Sequence, residues 1–302
     1  FQNMEKETLY NLILKYIETP VGQEFGFTFL LYFINIFTSN ERIFIFIFYL
    51  IIIVLFTIIS YRINKRYYLI IIGLLFFGVG GFIGGALHLF RSTISFLIMY
   101  VGILKYQHQK KSGLFIMFIS VLFNSIVFPF VLLFYFLEKF KLFSNYYYLL
   151  ISSLLLVILI KLSFFYFNDL LLLLDPSRFK YINEGYYFSI ESFSLLIALI
   201  LFLIFSRFAN HGIYRFSFFV TSFLFLLYLL IPEYNFLTGR LLTALSYCIA
   251  ILLFKSLINI KPKWVIVFPL IFLFVRKINV LNNSEFINLA FPEFSNVFIY
   301  SF

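Results

Sequence analysis

The chain reads as a succession of apolar blocks separated by short polar or basic interruptions. It opens with an amphipathic stretch, 1–23, in which Leu9, Leu12, Ile13 and Tyr16 share one helical face, as in a helix lying at a membrane interface. Glu24 then introduces an apolar run over 25–37, whose 13 residues are too few to cross a bilayer unaided. Further blocks cover 42–60, 68–86 and 92–104, the last headed by Arg91. After a basic loop, 105–111, comes a block over 114–137 that Asn124 and Pro129 interrupt. Blocks over 147–167, 186–205, 214–231, 237–254 and 264–274 follow, and the mixed tail 282–302 is expected at the surface. A spanning helix needs about 20 apolar residues. A spanning strand would need only about 10 and would alternate polar with apolar; these blocks do not. The pattern predicts an all-α, polytopic integral membrane protein of about ten transmembrane or re-entrant helices. They form a single transmembrane domain over 1–302, with its longest outer loop over 168–185.

Lys and Arg concentrate on the inner side of membrane proteins, which tests the topology. If every block spans once, the two sides carry eleven and nine basic residues, leaving out Lys6, Lys15 and Lys161. If the 114–137 block folds back at its Asn124–Pro129 interruption, everything after it inverts and the split becomes thirteen to seven. The folded-back topology is preferred. It places Arg91, the 168–185 loop and Arg240 on one outer face. Non-helical backbone at membrane depth is tolerated only where protein or water covers it, so a break there implies a cavity.

Composition agrees. The chain is 63% hydrophobic and 12% charged, with a mean hydropathy of +1.02, where soluble domains are about half apolar and about a quarter charged. Lipid is therefore its expected solvent. The net charge of +10 is scattered over short loops without a stripe, which argues against a nucleic-acid partner. Cys248 is the single cysteine, so no intrachain disulfide can form, and no paired Cys/His cluster suggests a metal. Because the chain begins with Phe1, one or more N-terminal helices are expected to precede it in the full protein.

Candidate chemistry lies at the polar interruptions. Arg91 follows the glycine-rich run GVGGFIGG, and Arg240 follows PEYNFLTGR and heads another block. A guanidinium is a rigid fork of donors suited to phosphate oxygens, so two such residues at the outer heads of helices could clamp a diphosphate. The alternative for each is an interfacial anchor, and for the glycines, helix packing. Glu24 is the best-placed carboxylate, with complementation of a helix dipole as its alternative role. His88, Glu233 and Asp175 are further ionisable candidates on the same face, with Asp175-Pro176 also reading as an N-cap and first-turn pair. Arg178 lies in the long loop, and Asn124 needs a partner within its apolar block. Lys161, inside a span, reads as a snorkelling side chain. GVGGFIGG lies in an apolar helix and is not a phosphate loop, and no nucleotide-binding signature is present.

Taken together, Glu24-Phe25-Gly26-Phe27 after an amphipathic segment, Arg91 followed by an apolar stretch and Lys110-Lys111, and a late Arg240 at a helix head form a pattern. It resembles the EpsG-like branch of the Wzy-type O-antigen and capsule polymerases, over residues 8–257. One departure is Phe123-Asn124, where the family often carries Phe-His. The resemblance implies a GT-C-like, inverting, metal-independent glycosyltransferase of the bacterial inner membrane, without a cofactor. It would join undecaprenyl-diphosphate-linked oligosaccharides, donor and acceptor alike, on the periplasmic face, with a chain-length regulator as a possible protein partner. On that reading Arg91 and Arg240 bind the diphosphate, and Glu24, or else His88, acts as base. Asn124, Arg178 and Glu233 are secondary. The competing readings are a lipid-linked oligosaccharide flippase or other transporter, although no internal repeat is evident, a membrane acyltransferase, and an assembly partner without a site.

Overall fold

The computed structural model describes residues 25–38, 40–77, 90–139, 145–174, 190–205, 212–230 and 235–259. Among them lie ten α-helices, one 3-10 turn and no strand. The helices are α1 (Phe25–Phe37), α2 (Glu41–Ile63), α3 (Tyr68–Phe77), α4 (Phe90–Tyr106), α5 (Lys110–Phe123), α6 (Phe128–Lys139), α7 (Tyr146–Leu174), α8 (Ile190–Phe205), α9 (Gly212–Leu230) and α10 (Asn235–Asn259).

The outside of this bundle is apolar. The window Phe46–Ile63 of α2 is long and apolar enough to cross a membrane, and only 28% of it is buried, whereas the core helix of a soluble protein would be mostly buried. Phe46, Leu50, Ile53 and Ile58 of α2 are exposed, as are Leu155 and Leu159 of α7 and Leu203 and Ile204 of α8. Soluble monomers rarely expose contiguous apolar patches beyond a few hundred Å². An apolar coat on helix after helix is compatible with a membrane protein.

Inside, aromatic rings link the helices through tilted and edge-to-face contacts. Phe56 meets Tyr247 with centroids 5.2 Å apart, Tyr247 meets Tyr100 at 5.8 Å, Tyr100 meets Phe216 at 6.1 Å and Phe216 meets Phe134 at 5.9 Å. The path therefore runs from α2 through α10, α4 and α9 to α6. Such pairs contribute roughly 0.5–1.5 kcal/mol each beyond burial. Where lipid is the surrounding solvent, helices associate through close packing and hydrogen bonds rather than hydrophobic exclusion. The α4–α5 hairpin shows both. A Cβ on Gly102 would stand 2.9 Å from the Met117 nitrogen, and one on Gly113 would strike the Tyr106 backbone. Ser95 Oγ donates to the Ser120 carbonyl at 2.5 Å.

The 114–137 block folds back. Helix α5 ends at Phe123, and Asn124 is extended (φ −159, ψ 115). Its amide oxygen accepts from the Ile126 nitrogen at 3.0 Å, opening a single 3-10 turn, Ser125–Val127. Helix α6 then runs antiparallel to α5 and parallel to α4: Phe96 meets Phe130 at 5.4 Å and Tyr106 meets Phe134 at 5.5 Å. The reversal occurs at Asn124. Pro129 sits in the first turn of α6, where a missing N–H leaves nothing unsatisfied. With 14 and 12 residues, α5 and α6 are about 21 and 18 Å long, both short of a hydrocarbon layer about 30 Å thick.

The reversal sorts the charges. Arg62, Lys65, Arg66, Lys105, Lys110, Lys111, Lys139, Arg215 and Lys255 gather at one end of the bundle, hereafter the basic end. Arg215 Nη2 donates to Glu138 Oε1 at 3.0 Å, which ties the start of α9 to the end of α6. Lys255 lies over the Tyr214 ring, and the Asn259 amide donates to the Phe205 carbonyl at 2.9 Å, so α8 and α10 finish at this end too. At the opposite end stand the heads of α2, α4 and α10, with Arg42, Arg91 and Arg240. Lys161 also reaches that end, where its Nζ donates to the carbonyl of Leu230, the last residue of α9, at 2.8 Å. That carbonyl has no partner within its own helix, and a cation there complements the helix dipole.

Candidate functional site

Three helix segments converge at the end opposite the basic one. Helix α4 begins at Phe90, and its first turns are polar: Ser92 is half-buried, and Thr93 and Ser95 are buried. Asn124, also buried, donates its amide nitrogen to Ser92 Oγ at 2.7 Å. The break between α5 and α6 is thereby pinned one residue from Arg91. Gly26 of α1 packs on the same place, since a Cβ there would lie 2.9 Å from the Phe123 ring and 3.0 Å from the Leu122 carbonyl. Gly26 lies two residues after Glu24 in the chain.

Helix α10 arrives from another direction. It runs parallel to α4, because both helices finish at the basic end; between them the Tyr247 hydroxyl bonds Thr93 and the Tyr100 hydroxyl bonds the Cys248 thiol. Both helices thus present their N-termini, the positive ends of their dipoles, to the same side. From the Tyr100–Tyr247 contact, Arg91 lies nine residues and Arg240 seven residues towards this end. At 1.5 Å per residue those are about 13 and about 10 Å, so the two positions share a depth to within a few ångströms. Arg42 of α2, fourteen residues from Phe56 on the same ring path, stands about 21 Å out. Arg91 at the head of α4, Arg240 five residues into α10 and the Asn124 break therefore lie roughly 10 Å inside the start of α2, while α10 itself begins further out, at Asn235.

The sequence-derived candidates fall into two groups. The backbones of Arg91 and Arg240 are described and brought to one end at one depth; their side chains lie outside what is described. Asn124 is fully described, with both halves of its amide engaged by Ser92 and Ile126. Glu24, His88, Arg178 and Glu233 lie outside the described residues. Among the described residues no group of three His, Cys, Asp or Glu side chains gathers as a metal would need. Sequence reading passed over Ser92, Thr93 and Tyr247, which set the register of α4 against α5 and α10. Isolated Ser, Thr and Tyr in apolar blocks carry no signal of which helix they will meet.

Chemically, this end offers two parallel helix N-termini, an arginine in the first two turns of each, and a non-helical break beside the start of α4. That arrangement favours an anionic group. The fold and this end together define a class: an all-helical bundle with an apolar coat, compatible with the membrane, and an arginine-bearing recessed end. The chain belongs to the EpsG family, whose family model matches residues 1–292. No curated protein and no solved structure matches it.

Proposed function

We propose that this protein is a GT-C-like polysaccharide polymerase, an inverting glycosyltransferase that joins undecaprenyl-diphosphate-linked repeat units. EpsG family membership supports a polymerase-like, glycosyltransferase-related membrane protein. The observation that carries the reading further is the shared depth of Arg91, beside the Asn124 break, and Arg240 on parallel helices, both inside the start of α2. In this reading the bundle spans the inner membrane several times. The basic end faces the cytoplasm, following the bias of basic loops to that side, and the arginine end faces the periplasm.

In the reaction, an acceptor sugar hydroxyl attacks the anomeric carbon of the donor chain from the face opposite its diphosphate. The new glycosidic C–O bond forms as the old one breaks, and its electron pair leaves with undecaprenyl diphosphate. The hydroxyl proton passes to a base, for which Glu24 is the first candidate and His88 the second. Charge develops on the leaving diphosphate, and stabilising it is the largest single demand of the step. Arg91, at the N-terminus of α4, and Arg240, in the second turn of α10, meet that demand as diphosphate-binding residues. Arg178 and Glu233 are secondary candidates for contacts to the sugars. A recess lined by the Asn124 break would admit the lipid tail from the side.

The test is complementation of a strain lacking the gene with Arg91→Lys, Arg91→Ala, Arg240→Lys and Arg240→Ala. Polysaccharide is resolved on a gel beside a blot for the protein. Variants present in the membrane that yield only single repeat units support the polymerase and the clamp. Polymer of normal length reassigns the arginines as interfacial anchors. Absence of even single units at the surface favours a flippase.

A further inference from the structure

The basic end carries a concentration of charge that the proposed reaction does not use. The turn between α2 and α3 bears Arg62, Lys65 and Arg66, and the turn between α4 and α5 bears Lys105, Lys110 and Lys111. Helix α2 packs along α4, and both run towards this end, so the two turns are neighbours. The sequence from 42 to 137 contains no Asp or Glu. Among the described residues none of these six cations has an acidic partner; the ion pair at this end belongs to Arg215 and Glu138. All but Lys105 are exposed. Six like charges on adjacent turns repel one another unless an outside anion sits among them.

The surroundings say which anion. The surface turns apolar at once beside the charges: Tyr61 and Leu69 flank the first turn at 48% and 66% exposure, and Phe115 follows the second at 68%. The basic side chains lie along tyrosine rings at this boundary. Lys65 Nζ is 5.7 Å from the Tyr61 centroid, Arg66 Cζ is 5.4 Å from that of Tyr67, and Lys139 Nζ is 5.8 Å from that of Tyr135. Tyrosine bodies with cationic tips are what a headgroup layer selects. Gln107, His108, Gln109 and Ser112 are exposed on the second turn itself, and the apolar flank at Tyr61, Leu69 and Phe115 borders the charges on the side of the helices, as at a headgroup layer.

We propose that the two turns form a seat for the phosphate of an anionic glycerophospholipid, whose acyl chains lie along the apolar surface that begins at Leu69 and Phe115. The seat rests on the membrane reading given above and is independent of the polymerase chemistry. Each basic group near an anionic surface strengthens attachment by about fivefold. Replacing Lys65, Arg66, Lys110 and Lys111 together by Gln therefore weakens it by several hundredfold.

The experiment embeds the full chain in nanodiscs of equal parts phosphatidylglycerol and phosphatidylcholine, then releases it in mild detergent for native mass spectrometry. The expected result is retained phosphatidylglycerol well in excess of phosphatidylcholine, lost in the quadruple variant while its thermal midpoint is kept. Equal retention of the two lipids by the parent chain overturns the proposal and leaves an acidic protein as the counter-charge. Removal of the preference by millimolar inorganic phosphate overturns it in favour of a soluble-phosphate site. A chain that fails to enter discs of either lipid overturns the membrane reading itself, and this seat with it.

Discussion

Asn124 Nδ2 donates to Ser92 Oγ at 2.7 Å, joining the point where the chain turns back to the first turn of the helix that begins beside Arg91. The same side chain accepts from the Ile126 nitrogen and so caps its own turn. Asn124→Ala removes both bonds and leaves its part-buried partners on Ser92 and Ile126 without it, at about 1–3 kcal/mol in total. Ser92→Ala removes one, at about 1 kcal/mol. Thermal unfolding in detergent measures both. If Asn124 positions Arg91, polymer length in complemented cells falls with Asn124→Ala even at temperatures where the protein level is unchanged.

The α4–α5 hairpin tolerates no added methyl at its crossing. Gly113→Ala places a Cβ against the Tyr106 backbone, and Gly102→Ala meets the Met117 nitrogen and the Gly113 carbonyl. Backbone cannot yield as a flexible side chain can. Overpacking of this kind costs typically 1–3 kcal/mol. Each variant is expected to lower the thermal midpoint, and Gly113→Ala, with the closest backbone contact, lowers it more.

Glu138 and Arg215 form one unit with Gly212. The pair is mostly buried, with side-chain exposures of 23% and 18%, and a Cβ on Gly212 would collide with the Glu138 carboxylate. Among the described residues Arg215 Nε is buried without a partner, and the guanidinium's hydrogen bond is the one to Glu138. Glu138→Gln is expected to destabilise by roughly 1–3 kcal/mol, because it strands a mostly buried charge. Glu138→Gln with Arg215→Gln together costs less than the sum of the single changes, a coupling that a double-mutant cycle in unfolding measures.

The fold-back has a topological signature. With Cys248→Ser as background, single cysteines at Gln107 and Lys139 lie at the same end of the bundle, although the whole 114–137 block separates them. Both are expected to react with a membrane-impermeant maleimide from the same side of the membrane. Labelling from opposite sides would show that the block spans once.

Cys248 itself is buried against the Tyr100 hydroxyl. Thiol reactivity requires access as well as ionisation. The parent chain is therefore expected to resist even a membrane-permeant maleimide while native and to take up one label after denaturation, a mass shift that intact-protein spectrometry reads.

Much of the architecture is legible along the chain because helix formation and lipid exposure are local properties. The run 25–37 recurs unchanged as α1 (Phe25–Phe37), and the block 42–60 recurs as α2 within three residues at its end. The basic-residue count, together with the Asn124–Pro129 interruption of an apolar block, led to the reversal between α5 and α6, because loop charge and side of the membrane are coupled. The count could not say where the chain turns. Asn124 takes that role rather than Pro129, since a proline in the first turn of a helix disturbs nothing, while an asparagine that caps its own turn and bonds Ser92 fixes the bend. Charge type and position along the chain also nominated Arg91 and Arg240. That they stand at one depth follows only from the packing of Thr93 and Tyr100 against Tyr247 and Cys248, contacts between residues some 150 positions apart. The ion pair of Glu138 with Arg215, and the glycine that makes room for it, are likewise tertiary. A side chain's partner across the bundle depends on the rotation and register of two helices, and those are set by all their contacts at once.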